Sequence, residues 1–325
     1  MNALIAGTGS IGQRHIQCIK SFYPETNFII LRRETKKDGL SKSLHADVIG
    51  HIDEALKLKP DFALVATPSA KHIEVLVPLI EAQIPIYIEK PVVTSRADVT
   101  QLRSHLNSTQ YSAPNLVGCN FRFLPSLYKV KEVIQAGRLG NIVRANLVVG
   151  QWLPDWRPQQ NYRQSYSAQS DMGGGVVMDL IHEIDMARWL FGEFDQVQAM
   201  TGKFSSLDIT SEDTACILLG KSEGPPMVSL SLDYVSRRRV RRYEIVGEEG
   251  TLIWDLGEKR LEISRSQSTE RIECGESAFD VAETYRTAIK IFIDAAYHKR
   301  PVSPDIKDGL RSVELALTAK EEGQR

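Results

Sequence analysis

The run Gly7-Thr8-Gly9-Ser10-Ile11-Gly12 directly follows the short apolar stretch Ala3–Ala6 and leads into a helical repeat of Ile11, His15, Ile16 and Ile19. Strand, tight turn and helix N-terminus form the frame in which G-x-G-x-x-G has a physical meaning. The first glycine makes the turn, the second admits a pyrophosphate to the backbone, and the third lets helix and strand pack closely. The free N–H groups and the dipole at the helix start attract the diphosphate. The motif therefore assigns Gly7, Gly9, Ser10, Ile11 and Gly12 to a dinucleotide; the plainer reading is a merely tight strand–helix turn.

The following residues keep a β–α rhythm. Asn27–Leu31 reads as a second strand, and about 20 residues beyond the glycines a dinucleotide fold places the group that reads the adenosine ribose. Here that position carries Arg32 and Arg33, with Glu34 after them. Two guanidiniums favour a 2′-phosphate, hence NADP over NAD, while Glu34 keeps NAD open. After a connection with a short helix near Ile52–Leu58, the run Asp61–Ala66 reads as a buried strand. It ends in Thr67-Pro68-Ser69, with a helix from Ile73 and His72 at its start. Pro85–Ile88 is another strand, ending in Glu89-Lys90-Pro91. A proline biases the residue before it toward extended geometry. Lys90 at that sheet edge, partly desolvated, could act as a base; an ordinary solvated loop lysine is the alternative. Helix Ala97–Leu106 and strand Asn115–Gly118 complete a doubly wound parallel sheet.

From Phe121 the rhythm stops, which sets domains of 1–120 and 121–325. Leu127–Ala136 reads as a helix and Ile142–Gly150 as a strand. The irregular segment Gln151–Asp171 collects Trp152, Trp156, Arg157, Tyr162, Arg163 and Tyr166. Aromatic faces among arginines suit a sugar bearing an anionic group, so the segment reads as a substrate loop; a loop pinned by its own tryptophans, or a subunit contact, is the alternative. Next comes Met172–Gly192, in which Gly173, Gly174 and Gly175 precede a helical pattern. Leu180, Ile184, Ala187 and Phe191 form an apolar stripe, and Asp179, His182 and Asp185 recur at i, i+3 spacing, predicting one helix with three titratable groups on one face. A carboxylate beside an imidazole suits proton transfer; a structural histidine held by its neighbours is the alternative. Six β-rich runs with short connections then suggest an antiparallel sheet, before helices Val281–Tyr297 and Gly309–Ala319.

Arg237–Arg242 (RRRVRR) invites a nucleic-acid reading, but the formal net charge is −1, and alternating arginines on a strand with one wet face explain the run. At 325 residues the chain has length for about two domains. Its four cysteines, Cys18, Cys119, Cys216 and Cys274, are scattered without a C-x-x-C pair, so neither a disulfide framework nor a metal site is expected. No leader-like start and no apolar run of membrane-spanning length is seen, so the expectation is a cytoplasmic protein with no membrane or nucleic-acid partner.

Taken in order, Gly7–Gly12 with Arg14-His15, Ala66-Thr67-Pro68 with His72, Glu89-Lys90-Pro91, Gly118–Phe123 and Gly173–Asp185 resemble the Gfo/Idh/MocA oxidoreductases. That resemblance implies an N-terminal Rossmann domain and a C-terminal α/β domain on a large, open, mostly antiparallel sheet. It further implies a substrate site and oligomer interface on the second domain, with a dimer or tetramer expected and the last helix packing back on the first. It carries the catalytic roles to Lys90, Asp179 and His182. Thr67, Pro68, His72, Glu89 and Lys90 fall to the nicotinamide cofactor, and Arg122 joins the substrate group with Trp152, Trp156, Arg157, Tyr162 and Arg163. Many members set the aspartate four residues before the histidine; here the spacing is three, and both spacings share a helix face. The activity implied is hydride transfer between NADP or NAD and a carbon of a sugar, sugar derivative or cyclitol. An NAD-dependent glycosidase and a non-catalytic dinucleotide-binding regulator are the alternatives on the same scaffold.

Overall fold

The structure is a computed structural model and describes residues 1–323. By internal packing the chain forms two units, one of residues 1–120 with 282–313 and one of residues 121–281 with the C-terminal stretch from Glu314.

In the first unit the elements run β1 (Asn2–Ala6), α1 (Ser10–Phe22), β2 (Asn27–Leu31), α2 (Gly39–Ser43), β3 (Asp47–Ile49), α3 (Ile52–Lys57), β4 (Phe62–Val65), α4 (His72–Glu81), β5 (Ile86–Ile88), α5 (Arg96–Ser108) and β6 (Asn115–Val117). The strands lie in the order β3-β2-β1-β4-β5-β6 and all pair in parallel. Strands β4 and β5 are buried at every residue, the mark of a sheet covered on both faces. Because all strands point one way, their carboxyl ends bring Gly7, Thr67, Glu89-Lys90 and Gly118 to one edge of the sheet.

The second unit begins with α6 (Pro125–Gln135), β7 (Ile142–Gly150), α7 (Val176–Asp179) and α8 (Ile181–Phe191). Seven strands follow: β8 (Gln196–Gly202), β9 (Thr214–Gly220), β10 (Met227–Asp233), β11 (Val240–Gly247), β12 (Gly250–Asp255), β13 (Arg260–Arg265) and β14 (Ser268–Arg271). They form one sheet in the order β14-β13-β12-β11-β7-β10-β9-β8, antiparallel except where β7 meets β10. Alternation decides the core. Ala215, Ile217, Leu219, Val228, Leu230, Leu232, Tyr243, Ile245, Leu252 and Trp254 are buried, whereas Met200, Cys216 and Leu218 stand exposed. Helices cover the buried face: α7 and α8 contact β10, and Trp254 donates from Nε1 to Ser126 Oγ on α6 at 3.0 Å.

The last helices are α9 (Val281–His298) and α10 (Ile306–Glu322). Phe292 of α9 meets Phe62 and Tyr87 edge-on, with ring centroids 5.6 and 5.7 Å apart.

The expected fold class holds in both parts. The differences are local. β3, α2 and β14 were not expected, because each is short and β14 (STER) is exposed throughout, with no apolar alternation to read. The single helix expected after the triple glycine is two, since Leu180, at φ −97° and ψ 28°, breaks it between Asp179 and Ile181.

Candidate functional site

The fit of the glycine turn to a dinucleotide lies in what surrounds each glycine. At Gly7 (φ +95°) a Cβ would lie 2.5 Å from the Ala66 carbonyl oxygen, and at Gly12 2.2 Å from that of Gly7. At Gly9 it would meet nothing within 4 Å. Internal packing therefore demands the first and third glycines, while the second borders open space. Helix α1 starts on Gly9 with no side-chain cap and no acidic residue in its first turn. Backbone N–H groups at a helix start beside an open glycine are what a diphosphate requires, so the residues present fit the group.

Past β2 the two arginines part company. Arg32 donates from Nε to Glu34 O at 2.9 Å, from Nη1 to Asp38 Oδ2 at 2.6 Å and from Nη2 to Lys36 O at 2.7 Å. Its hydrogen bond, with that of the Ser41 N–H, holds the Asp38 carboxyl well below the usual range. The expectation that both guanidiniums read a 2′-phosphate is corrected: Arg32 ties its own loop together, and Arg33 is exposed.

At the sheet edge His72 is fully buried. Its Nε2 lies 3.0 Å from Thr67 O, and its Nδ1 lies 3.0 and 3.1 Å from Pro91 O and Val92 O. Burial pushes its pKa down. A ring with no exposed surface touches no ligand, so the expected cofactor contact becomes a brace between the Thr67 and Pro91 turns. Pro68 is exposed between Thr67 and the turn Ser69–Lys71. Glu89 is 8% exposed and Lys90 is half-buried.

In the second unit the triple glycine threads a narrow passage. A Cβ at Gly174 would fall 2.0 Å from Tyr166 O, and one at Gly175 (φ +115°) 2.3 Å from the Glu212 carboxylate. The Val176 N–H donates to Glu212 O at 3.0 Å, which seats α7. Asp179, at its end, accepts from the Tyr234 hydroxyl at 2.8 Å. Burial and the neighbouring Asp179 push the Tyr234 hydroxyl well above the ordinary phenol range, so it remains a donor. His182 packs edge-on to Phe121 at 5.1 Å between centroids. Asp185, by contrast, takes both Nε and Nη2 of Arg122 at 2.9 and 2.7 Å. Asp179 thus meets Tyr234, His182 meets Phe121 and Asp185 meets Arg122, and Arg122, expected at the substrate, forms a buried ion pair.

In the aromatic segment Trp156, Arg157 and Tyr162 line one cavity with Leu153, Gln160, Ser165 and Ser167. Trp152 and Arg163 do not line it: Arg237 stacks over Trp152 at 3.6 Å, and Arg163 pairs with Asp208 at 2.8 Å. Trp156 meets Tyr234 edge-on at 5.2 Å, so Tyr234 joins the cavity wall to Asp179. Sequence reasoning missed Tyr234, which follows an ordinary apolar strand without a motif. Tyr234→Phe removes one hydrogen bond to a buried carboxylate and is expected to lower kcat about 10-fold and stability by about 1–3 kcal/mol, with cofactor Kd nearly unchanged. Steady-state kinetics beside a binding titration checks this.

Comparison with known proteins agrees with these features. The family profile described as "Oxidoreductase family, NAD-binding Rossmann fold" matches residues 1–112, and that of the "GFO/IDH/MocA C-terminal domain" matches residues 127–253. Inositol 2-dehydrogenase 1 of Saccharopolyspora erythraea is 24% identical over 338 residues, covering 98% of this chain and 94% of that one. The structure of levoglucosan dehydrogenase in complex with NADH and levoglucosan shares the fold, with TM-score 0.84 at 19% identity over 100% of this chain and 97% of the other. So does an oxidoreductase from Agrobacterium radiobacter in complex with NAD+, L-tartaric acid and magnesium, with TM-score 0.83 at 19% identity over 100% and 96% of the two chains. A glycine turn that fits a dinucleotide, a six-stranded parallel sheet and an eight-stranded open sheet, each matched by its own profile, place the chain in the GFO/IDH/MocA family of NAD-binding oxidoreductases.

Proposed function

We propose that the protein moves a hydride between a nicotinamide dinucleotide and a hydroxyl- or keto-bearing carbon of a sugar or cyclitol. The observation that carries this reading is Lys90, half-buried on the sheet edge shared with the glycine turn. The relatives named for inositol and levoglucosan support the substrate class. When bound, the nicotinamide supplies or accepts the hydride. The protein's own work is to handle the proton. Lys90, on the first unit, takes the hydroxyl proton or stabilises the developing alkoxide. On the second, His182 is the other proton-carrying group, and Asp179, kept as an acceptor by Tyr234, orients and polarises. Trp156, Arg157 and Tyr162 support a binding cavity for a polyhydroxylated ligand, and Arg157 suits an anionic substituent.

For the cofactor we read NADP over NAD, on Arg33 alone. An arginine–phosphate hydrogen bond contributes about 1.5–3 kcal/mol. Arg33→Ala should therefore weaken NADPH binding about 10- to 100-fold and leave NADH within 2-fold, whereas Arg32→Ala, by loosening the loop, should weaken both. The test of the whole reading is fluorescence titration of the protein with NADPH and NADH, followed by a sugar and polyol panel scored by reduced-cofactor absorbance. Binding of neither dinucleotide refutes it, and hydrolysis of a chromogenic glycoside without net cofactor reduction turns it into a glycosidase. A cytoplasmic setting and a homodimer or tetramer belong to the same proposal. The exposed Met200, Cys216 and Leu218 on the open sheet face support the second, and no described helix is long and apolar enough to cross a membrane.

A further inference from the structure

We propose that His15 is a positioning residue for Lys90, acting through the carboxylate of Glu89; the proposal rests on the reading of Lys90 above. His15 lies on the first turns of α1, just past the glycines, and is 0% exposed. Its Nε2 lies 2.6 Å from Glu89 Oε1, a short hydrogen bond across 74 residues of sequence. The ring is fixed from the side by Tyr87 and Tyr285, at 4.9 and 5.9 Å between centroids, and Arg14 lies over Tyr285 at 4.8 Å. Glu89 has no room to swing away. A Cβ at Gly118 would already come within 3.0 Å of Glu89 Oε1, and the Glu89 N–H donates to Val65 O at 2.9 Å. Anchoring both the Glu89 side chain and its backbone N–H fixes the peptide unit from which Lys90 departs. From the other side His72 holds the carbonyls of Pro91 and Val92. The Lys90 backbone is thus gripped on both flanks by a buried histidine, and one grip comes from the helix that starts at the dinucleotide turn.

Stability alone does not account for this pair. His15 Nδ1 is buried without a hydrogen-bond partner among the described residues, an unfavourable arrangement that an apolar pair of similar volume in place of His15 and Glu89 would avoid. A polar pair retained at such a cost, one residue from a proton-handling lysine, fits a positioning role.

The experiment uses His15→Leu, His15→Gln, Glu89→Ala and the His15→Leu/Glu89→Ala double variant. Gln keeps a donor within reach of Glu89; Leu removes it and keeps the volume. The first readout needs neither cofactor nor substrate: the rate at which acetic anhydride labels Lys90, measured by peptide mass spectrometry against Lys57 in the same molecule. We expect that rate to change severalfold in His15→Leu and to return toward wild type in His15→Gln. With a substrate, kcat should fall about 10²-fold in His15→Leu, the scale of a misplaced reacting group, with NADPH and NADH Kd within 2-fold. The double variant should be no worse than Glu89→Ala. Unchanged Lys90 labelling, a Kd loss matching the kcat loss, or additive effects would overturn the proposal. If His15→Leu does not fold, His15→Gln and Glu89→Gln decide it by the same labelling. If wild type turns over no sugar or polyol, the functional reading fails, while the labelling still judges His15.

Discussion

Replacing Lys90 by Met is expected to lower kcat about 10³-fold, the middle of the range for loss of a general acid–base group, and to leave dinucleotide Kd within a few-fold. Methionine keeps an unbranched chain of similar length, so the half-buried site at the end of β5 stays filled and the fold is not taxed. What disappears is an ammonium at the carboxyl edge of the sheet. Cofactor affinity should survive, because the phosphates are assigned to the α1 start and to Gly9, whose open side owes nothing to Lys90. Fluorescence titration and steady-state kinetics on one preparation separate the terms. A Kd that rises as far as kcat falls would make Lys90 a cofactor anchor, and unchanged turnover would make it a bystander.

The parts of this molecule that could be read from sequence are those fixed by local chemistry. Strands β2, β7 and β10 begin and end where the apolar runs do. The glycine turn was legible because Gly7 and Gly12 answer clashes within a few residues or with the adjacent strand. Roles that depend on where a side chain's hydrogen bonds go were not legible. Arg32 and Arg33 are identical in type and adjacent, and only the path of the loop puts the carbonyls of Glu34 and Lys36 within reach of the first. His72 and Asp185 have the chemistry of site residues, yet each is turned inward by partners distant in sequence, Pro91 in one case and Arg122 in the other. The break at Leu180 gave no warning, since leucine is a good helix former and the glycines that shift the phase lie upstream. Tyr234 was passed over, and His15 was read only as part of a helical repeat and a motif, for the opposite reason. Their significance lies in single contacts, with Asp179 and Glu89, that no spacing announces.

Replacing Arg122 by Met is expected to destabilise the protein by about 3–5 kcal/mol, the cost of leaving a buried carboxylate without its ion-pair partner. Asp185 is 0% exposed and receives two parallel bonds from the guanidinium, a geometry that lysine cannot reproduce. The pair joins the start of the second unit, just before α6, to the middle of α8, the helix that also carries His182. Loss of the pair should therefore loosen the seat of that histidine, so kcat falls even under conditions where the variant remains folded. Urea unfolding followed by tryptophan fluorescence measures the first effect, as a lower midpoint with the slope retained. The double variant Arg122→Met/Asp185→Leu separates the two readings of Arg122. If the arginine serves the carboxylate, replacing both partners by apolar groups restores most of the stability, because the uncompensated charge is gone. If Arg122 instead meets substrate, the single variant raises KM with little loss of stability, and removing Asp185 as well brings no recovery.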